Sequence, residues 1–385
     1  MRIDFATTGR IIFGNGKVRL LPEILEKFGS RIMILRSKSA SNIEGILRLL
    51  KESGFDIEER VISGEPNIEV INQTARIARE FESECIVSIG GGSVIDTGKA
   101  ISALLNNPGE LLDYLEVVGK GLPLLNSAAP FIAVPTTSGT GSEVTKNAVI
   151  SVPEKSVKVS MRSNDMLPDV ALVDPELTYS VSPEVTAFTG MDAFTQVIEP
   201  YVSSQANAFV DLICRDAIPR GAKYLKNAFN NGKDREAREN MAWVSLMGGL
   251  ALANAKLGAV HGFAGPIGGM YHQPHGTICA SLMPAVMEMN ILLLNQKKDG
   301  NLYLERYREI AVWVTGNVNA DTLDLIGWLK ELKNDLMIPS LSNLGISYKE
   351  FPEIANKANK SSSMKGNPVL LSHEQMIKTL EMAYE

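Results

Sequence analysis

The stretch IVSIGGGSVIDTGKA, residues 86 to 100, decides the fold. A run of β-branched residues enters a glycine turn, and a helical pattern carrying Asp96 and Lys99 leaves it. A strand that passes through glycines into a helix N-terminus aims free backbone N–H groups at an anion. Glycine also lets the backbone approach a phosphate with no Cβ in the way. The motif is neither GxGxxG nor GxxxxGK[ST], and a tight strand-to-helix turn needs glycine for geometry alone. Its meaning therefore depends on its surroundings.

Working outward, apolar β-rich runs recur at Arg31–Leu35, Cys85–Ile89, Phe131–Val134 and Val170–Val173. Helical periodicity fills Asn42–Glu52 and Ile68–Phe81, after turn residues at Ser39 to Ser41 and Gly64 to Asn67. Alternation of strand and helix predicts a parallel sheet with helices on its faces. The polar stretch Asn147–Met161 reads as a hairpin excursion. A second loop, PTTSGTGSE at 135 to 143, follows the run Phe131–Val134. Ligands of such sheets bind at the carboxyl ends of the strands. Two loops rich in hydroxyls and glycines, at two strand ends, point to a bound phosphate and ribose.

Beyond Asp174-Pro175 nearly every segment reads as helix, and the boundary falls near residue 180. Ser182 is a good N-cap and Pro183 suits a first turn. On the helix predicted over 184–203, Phe188, Met191, Phe194, Ile198 and Val202 form the apolar stripe, while Asp192, Gln196, Glu199 and Ser203 form another. The expected architecture is an α/β domain over 1–180 and an all-α domain over 181–385. The runs Gly232–Asn240 and Gln296–Asn301 read as solvated faces or loops.

The chain holds four histidines, and His261, His272 and His275 share one glycine- and proline-rich segment. Pro266, Gly268, Gly269 and Pro274 are expected to interrupt a helix there, so His261 and His275 must converge through a bend. With Asp192 they make a carboxylate–imidazole set suited to Zn²⁺ or Fe²⁺. Gln196, four residues after Asp192, projects to the same side and offers an amide oxygen.

Composition narrows the classes. A chain of 385 residues suits two domains, and a formal charge of −6 argues against nucleic-acid binding. The N-terminus lacks the apolar core of a signal peptide, and no apolar stretch reads as membrane-spanning. Cys85, Cys214 and Cys279 show no CxxC spacing and read as buried reduced thiols of a cytoplasmic protein.

The chain resembles the iron-containing (group III) alcohol dehydrogenases nearly end to end. The resemblance is carried by Gly9–Gly14, GEPN at 64–67, GGGSVIDTGKA at 90–100, PTTSGTGSEVT at 135–145, LPDVALVDPELT at 167–178, GMDAFTQVIEPYVS at 190–203 and PHG at 274–276. It implies a Rossmann-like dinucleotide domain, a helical metal domain and a cleft between them. It also implies NAD(P)-linked interconversion of an alcohol and an aldehyde or ketone, with Fe²⁺ or Zn²⁺, in a homodimer or larger homo-oligomer. Gly91, Gly92, Ser93 and Asp96 would hold the pyrophosphate region. Asn67, Thr136, Thr137, Thr140, Lys158 and Leu177 would make further cofactor contacts. The metal ligands would be Asp192, Gln196, His261 and His275.

The chain departs from the family at two positions. Gln196 stands where the second ligand is usually histidine, and Gly265 where a proton-transfer histidine usually lies. His272 is the nearby substitute for that relay. These departures keep three other functions open: a metal-independent reductase resembling maleylacetate reductase, a lyase resembling dehydroquinate synthase, and a nucleotide-binding protein whose catalysis has decayed. After the strand Arg31–Leu35 the chain reads Arg36-Ser37-Lys38-Ser39. With no carboxylate there for the ribose hydroxyls, cations and hydroxyls favour the 2′-phosphate of NADP over NAD.

Overall fold

The computed structural model describes residues 4–39, 42–155, 157–297 and 301–385. The turn expected at Ser39 to Ser41 falls partly outside them, as does the loop expected over Gln296–Asn301, whose last residue begins a helix. The described chain forms two compact units. One is Ala6–Val181, and the other is Ser182–Glu385 with Asp4 and Phe5.

The first unit is built on a six-stranded sheet. Its strands are β1 (Arg10–Phe13), β2 (Arg31–Ser37), β3 (Asp56–Ile62), β4 (Cys85–Gly90), β5 (Phe131–Pro135) and β8 (Val170–Val173). Their order is β1-β8-β5-β4-β2-β3, and every pair is parallel. The helices are α1 (Leu21–Leu25), α2 (Ile43–Glu52), α3 (Ile68–Glu80), α4 (Gly92–Asn106) and α5 (Leu111–Tyr114). The chain leaves β2 for β3 on one side and leaves β4 for β5 on the other. The adjacent pair β2 and β4 is therefore the switch point, where such sheets bind ligands beyond the strand ends. The hairpin expected over Asn147–Met161 is present as β6 (Asn147–Val152) and β7 (Val157–Arg162), paired antiparallel.

Periodicity passes over β3, whose sequence DIEERVI places charges at Glu58, Glu59 and Arg60 and buries only Ile62 completely. It is an edge strand, where charge discourages pairing with another chain. Helix α4 buries Val94, Ile95 and every residue from Thr97 to Leu104. It lies very close to the sheet because Gly98 has no side chain. A Cβ there would stand 2.1 Å from Ser88 Oγ and 2.6 Å from the Phe131 ring.

The second unit is helical: α6 (Pro183–Val202), α7 (Ala208–Asn230), α8 (Arg235–Asn254), α9 (Ala259–Tyr271), α10 (His275–Asn295), α11 (Asn301–Thr315), α12 (Thr322–Asp335), α13 (Phe351–Asn359) and α14 (His373–Met382). Ser182 caps α6 by accepting the Val185 N–H. Helix α6 is central, and α7, α8 and α10 pack on it. Its two sequence stripes do not separate core from solvent, since Asp192, Gln196, Glu199 and Ser203 are all buried. In the run Gly232–Asn240, Gly232 and Lys233 form a turn and Arg235–Asn240 open α8 with Arg235, Glu236 and Glu239 exposed, while Arg238 is buried with its guanidinium donating to Thr186.

One expectation about α9 is corrected. Pro266, Gly268 and Gly269 lie inside α9 and do not interrupt it. The chain turns only at His272, which takes a left-handed conformation at φ 54° as the C-terminal cap, and at Gln273-Pro274. Helix α10 is also long and apolar enough to cross a bilayer by length and mean composition, although Glu288 and Asn290 interrupt its apolar run. Its most apolar window is 89% buried within the protein, as befits a core helix.

Candidate active site

The two glycine-bearing loops are brought together by neighbouring strands β4 and β5. The Thr136 N–H donates to the Gly90 carbonyl at 3.0 Å. A Cβ on Gly91 would meet Thr137 Oγ1 at 3.2 Å, and one on Gly92 would meet Thr140 at 2.8 Å. Both loops thus close on each other because these residues are glycine. Gly91 is the N-cap of α4 and, having no side chain, supplies no capping bond, while Gly92 and Ser93 open the helix. The first N–H groups of α4 face the anion position expected of such a turn.

A buried network holds this arrangement. The Lys99 ammonium donates to Ser142 Oγ and Thr145 Oγ1 at 2.8 Å each and to the Asn147 carbonyl at 2.9 Å. Asp96 accepts from Ser142 Oγ and, at 2.9 Å, from the Val149 N–H. Asp96 therefore fastens β6 and the second loop to α4. Burial pushes Glu143 up to about 7, against the pull of its own backbone N–H and of Lys99.

Other expected cofactor residues are tied to protein partners. Asn67 caps α3, accepting from the Val70 N–H at 2.9 Å, and bridges to Ser151. The Lys158 ammonium pairs with Glu65. Leu177 is buried in the core beneath the sheet. Ser37 keeps a buried Oγ with no partner among the described residues. The sequence reading found no carboxylate near Arg36, but the structure has one: Glu59 on β3 accepts from Arg36 Nε at 2.5 Å. It went unseen because β3 itself did.

In the helical unit, α6, α9 and α10 bring Asp192, His261, His275 and Cys279 together. One ligand atom from each lies within 4.8 Å of the other three. His261 Nε2 is 3.3 Å and His275 Nε2 4.0 Å from Asp192 Oδ1. The close approach of α10 to α6 depends on Gly276, where a Cβ would stand 2.6 Å from the Phe188 carbonyl oxygen.

Glu199, one helical repeat after Asp192, accepts from His261 Nδ1 at 2.6 Å and from the Val260 N–H at 2.7 Å. This fixes the ring and turns Nε2 toward Asp192. Such a carboxylate behind a ligating histidine sets its tautomer and raises its basicity. The offset of seven from Asp192 was the sequence signal for Glu199. The i, i+4 spacing from His275 was the signal for Cys279.

Three atoms of the cluster region are buried and lack any hydrogen-bond partner: Asp192 Oδ1, His261 Nε2 and Gln196 Oε1. Buried polar atoms are nearly always satisfied. The Asp192 and His261 atoms belong to the four-donor cluster and fit a divalent cation. Burial disfavours the charged forms of both groups, yet their partners win. His261 and His275 hold Asp192 below the usual carboxylate range. The acidic groups around His261 (Cys279, Glu199 and Asp192) hold it well above the usual imidazole value. His272 is exposed and stands outside the cluster. At Gly265 a Cβ would meet nothing within 4 Å among the described residues, so there is open space beside that position.

A parallel nucleotide-type sheet, followed in the chain by helices that gather carboxylate, imidazole and thiol donors, is the build of a dehydrogenase with a metal centre. The family model for iron-containing alcohol dehydrogenase matches residues 8–175, and that for the Fe-containing alcohol dehydrogenase family, C-terminal, matches 186–384. The chain belongs to the iron-containing alcohol dehydrogenase family and is an NAD(P)-linked alcohol oxidoreductase. It is 36% identical over 343 residues to alcohol dehydrogenase 4 of Saccharomyces cerevisiae, covering 88% of this chain and 86% of that one. It is 33% identical to the NADPH-dependent butanol dehydrogenase of Clostridium saccharobutylicum, over 97% of this chain and 96% of the relative. Among solved structures, a 1,3-propanediol oxidoreductase superposes with a TM-score of 0.92 at 30% identity, covering 100% of both chains.

Proposed function

We propose that this chain is a metal-dependent oxidoreductase that interconverts a small alcohol with its aldehyde or ketone. Nucleotide binding belongs to the unit Ala6–Val181 and the metal to the helical unit. The observation that carries this reading is the set of unpartnered buried atoms on Asp192, His261 and Gln196 beside His275 and Cys279. Asp192, His261 and His275 would hold Zn²⁺ or Fe²⁺, and Gln196 adjoins them on α6. When bound, such a cation supplies Lewis-acid polarisation of the alcohol or carbonyl oxygen.

The residues themselves do the rest. Glu199 orients His261, Asp192 supplies the negative charge, and Gly276 keeps His275 against α6. On the nucleotide side, Gly91, Gly92 and Ser93 would receive the pyrophosphate at the start of α4, with Thr136, Thr137 and Thr140 across from them. Asp96 acts by holding the loop at Ser142 and Val149. NADP(H) is the preferred nucleotide in this reading, through the unpartnered Ser37 hydroxyl and the exposed Lys38. Arg36 contributes less than its charge suggests, because Glu59 already neutralises it. A proton would leave through solvent, the nucleotide ribose or the exposed His272, which stands outside the four-donor cluster.

The test is turnover of primary and secondary alcohols, and of their carbonyl partners, with NADPH and NADH before and after chelation and reloading with Zn²⁺ or Fe²⁺. Activity lost with the metal and restored by it is expected. Activity that survives complete metal removal would establish the metal-independent reductase instead. Tight nucleotide binding without any net turnover would leave the decayed enzyme or the lyase.

A further inference from the structure

The three buried cysteines are not equivalent. Cys85 lies in β4 and Cys214 in α7, whereas Cys279 faces the Asp192–His261–His275 centre from one turn into α10. His275 and Cys279 are four apart on one helix, so both project to the same side. Cys279 Sγ lies 3.6 Å from His275 Nε2.

A tetrahedral centre with metal–sulfur bonds of about 2.3 Å and metal–nitrogen or –oxygen bonds of about 2.0–2.1 Å has edges of roughly 3.3–3.6 Å. The observed separations of 3.3 Å (His261 to Asp192) and 3.6 Å (Cys279 to His275) match those edges. A further edge, 4.0 Å between His275 and Asp192, is longer, and all four donor atoms lie within 4.8 Å of one another, so the shell would tighten around a cation. Asp192 Oδ1 and His261 Nε2 lie 3.3 Å apart, yet neither atom makes a well-formed hydrogen bond, which is independent evidence that the sulfur borders a ligand position and is not merely packed in the core.

Resting on the metal-dependent reading above, we propose that Cys279 is the fourth protein ligand of the metal in this chain, as a thiolate beside Asp192, His261 and His275. The amide of Gln196, the other candidate for that position, is neutral and a far weaker donor. A thiolate in the shell shifts selectivity from the harder Fe²⁺ toward Zn²⁺, because sulfur suits softer cations. The thiol proton leaves to solvent as the cation binds. With four protein donors, a substrate oxygen would reach the cation only if the shell expanded to five, which zinc permits.

The experiment uses full-length protein stripped of metal and reloaded with Co²⁺ for absorption or Zn²⁺ for X-ray absorption at the metal edge. Expected are a thiolate-to-cobalt charge-transfer band in the near ultraviolet and one sulfur scatterer at about 2.3 Å from zinc. Both should vanish in Cys279→Ser and persist in Cys214→Ser and Gln196→Ala. Metal affinity in Cys279→Ser should fall by at least the ~10-fold that altering an outer-shell partner costs. Circular dichroism of Cys279→Ser checks that the helical unit is intact. Stoichiometric metal in the unmodified protein with only nitrogen and oxygen neighbours would overturn the assignment while leaving the metal-dependent reading standing. Failure to bind either cation would overturn both.

Discussion

Single side chains decide both halves of the site, and they do so through neighbours rather than by their own identity. Glu199 touches no ligand position, yet its oxygens fix His261 Nδ1 and the Val260 N–H. Replacing it by glutamine keeps the shape and removes the charge. Metal affinity should drop by about 10–100-fold, read by competition with a chelator, while far-ultraviolet circular dichroism stays unchanged. An unaltered affinity would show that the ring needs no carboxylate behind it. Glu59 has the same standing toward Arg36. In Glu59→Gln the guanidinium is released to meet a 2′-phosphate, and the ratio of kcat/KM for NADPH over NADH should rise by roughly ten-fold, the worth of about one charge-assisted hydrogen bond. A ratio that holds still places Arg36 away from the ribose. Asp192, His261 and His275 were legible in the sequence because carboxylate and imidazole are rare in such apolar company. Glu199 and Cys279 carried only a spacing, seven residues from Asp192 and four from His275, which does not by itself mark a functional group, and Glu59 lay on an unread strand.

Elements translate those choices into placement. Helix α4 sits on β4 and β5 at a distance that only a glycine at position 98 allows. Alanine there would drive a methyl group into Ser88 and Phe131, so α4 must lift and carry the Gly91–Ser93 turn with it. Gly98→Ala should destabilise the protein by about 1–3 kcal/mol and raise the KM for nucleotide more than it lowers kcat. Equal stability by urea titration would mean that the helix already has slack. Strands β2, β4, β5 and β8 were readable as apolar runs because both faces of a parallel sheet are buried. Strand β3 hid behind its charges, since an edge strand satisfies the sheet on one side only. Helix α9 was misread for the opposite reason. Pro266 and two glycines look like breakers, but tertiary packing against α10, α13 and the segment at Met364 holds them helical.

At the scale of the molecule, Glu143 couples the nucleotide loop to global stability. It is buried beside Lys99 within the unit Ala6–Val181, and burial raises its carboxyl from an ordinary 4.5 to about 7. Between those values the folded state binds the proton and the unfolded state has lost it. Stability therefore falls as pH rises through that window and is fully depressed above about 7. A shift from 4.5 to about 7 corresponds to about 3 kcal/mol at 1.36 kcal/mol per unit. Glu143→Gln mimics the protonated acid. It should match the unmodified protein near pH 5 and exceed it by about 3 kcal/mol near pH 8. The choice of probe matters, because Trp243, Trp313 and Trp328 all lie in the helical unit and report nothing of the sheet. Hydrogen exchange at the amides of β4 and β5 reads the correct unit. Protection in those strands that falls from pH 5 to 8 in the unmodified protein and stays level in the variant, after correction for intrinsic exchange, is the expected result. Parallel profiles in the two proteins would place the ionised carboxylate in full compensation with Lys99 and remove Glu143 as the source of any loss of stability in alkali.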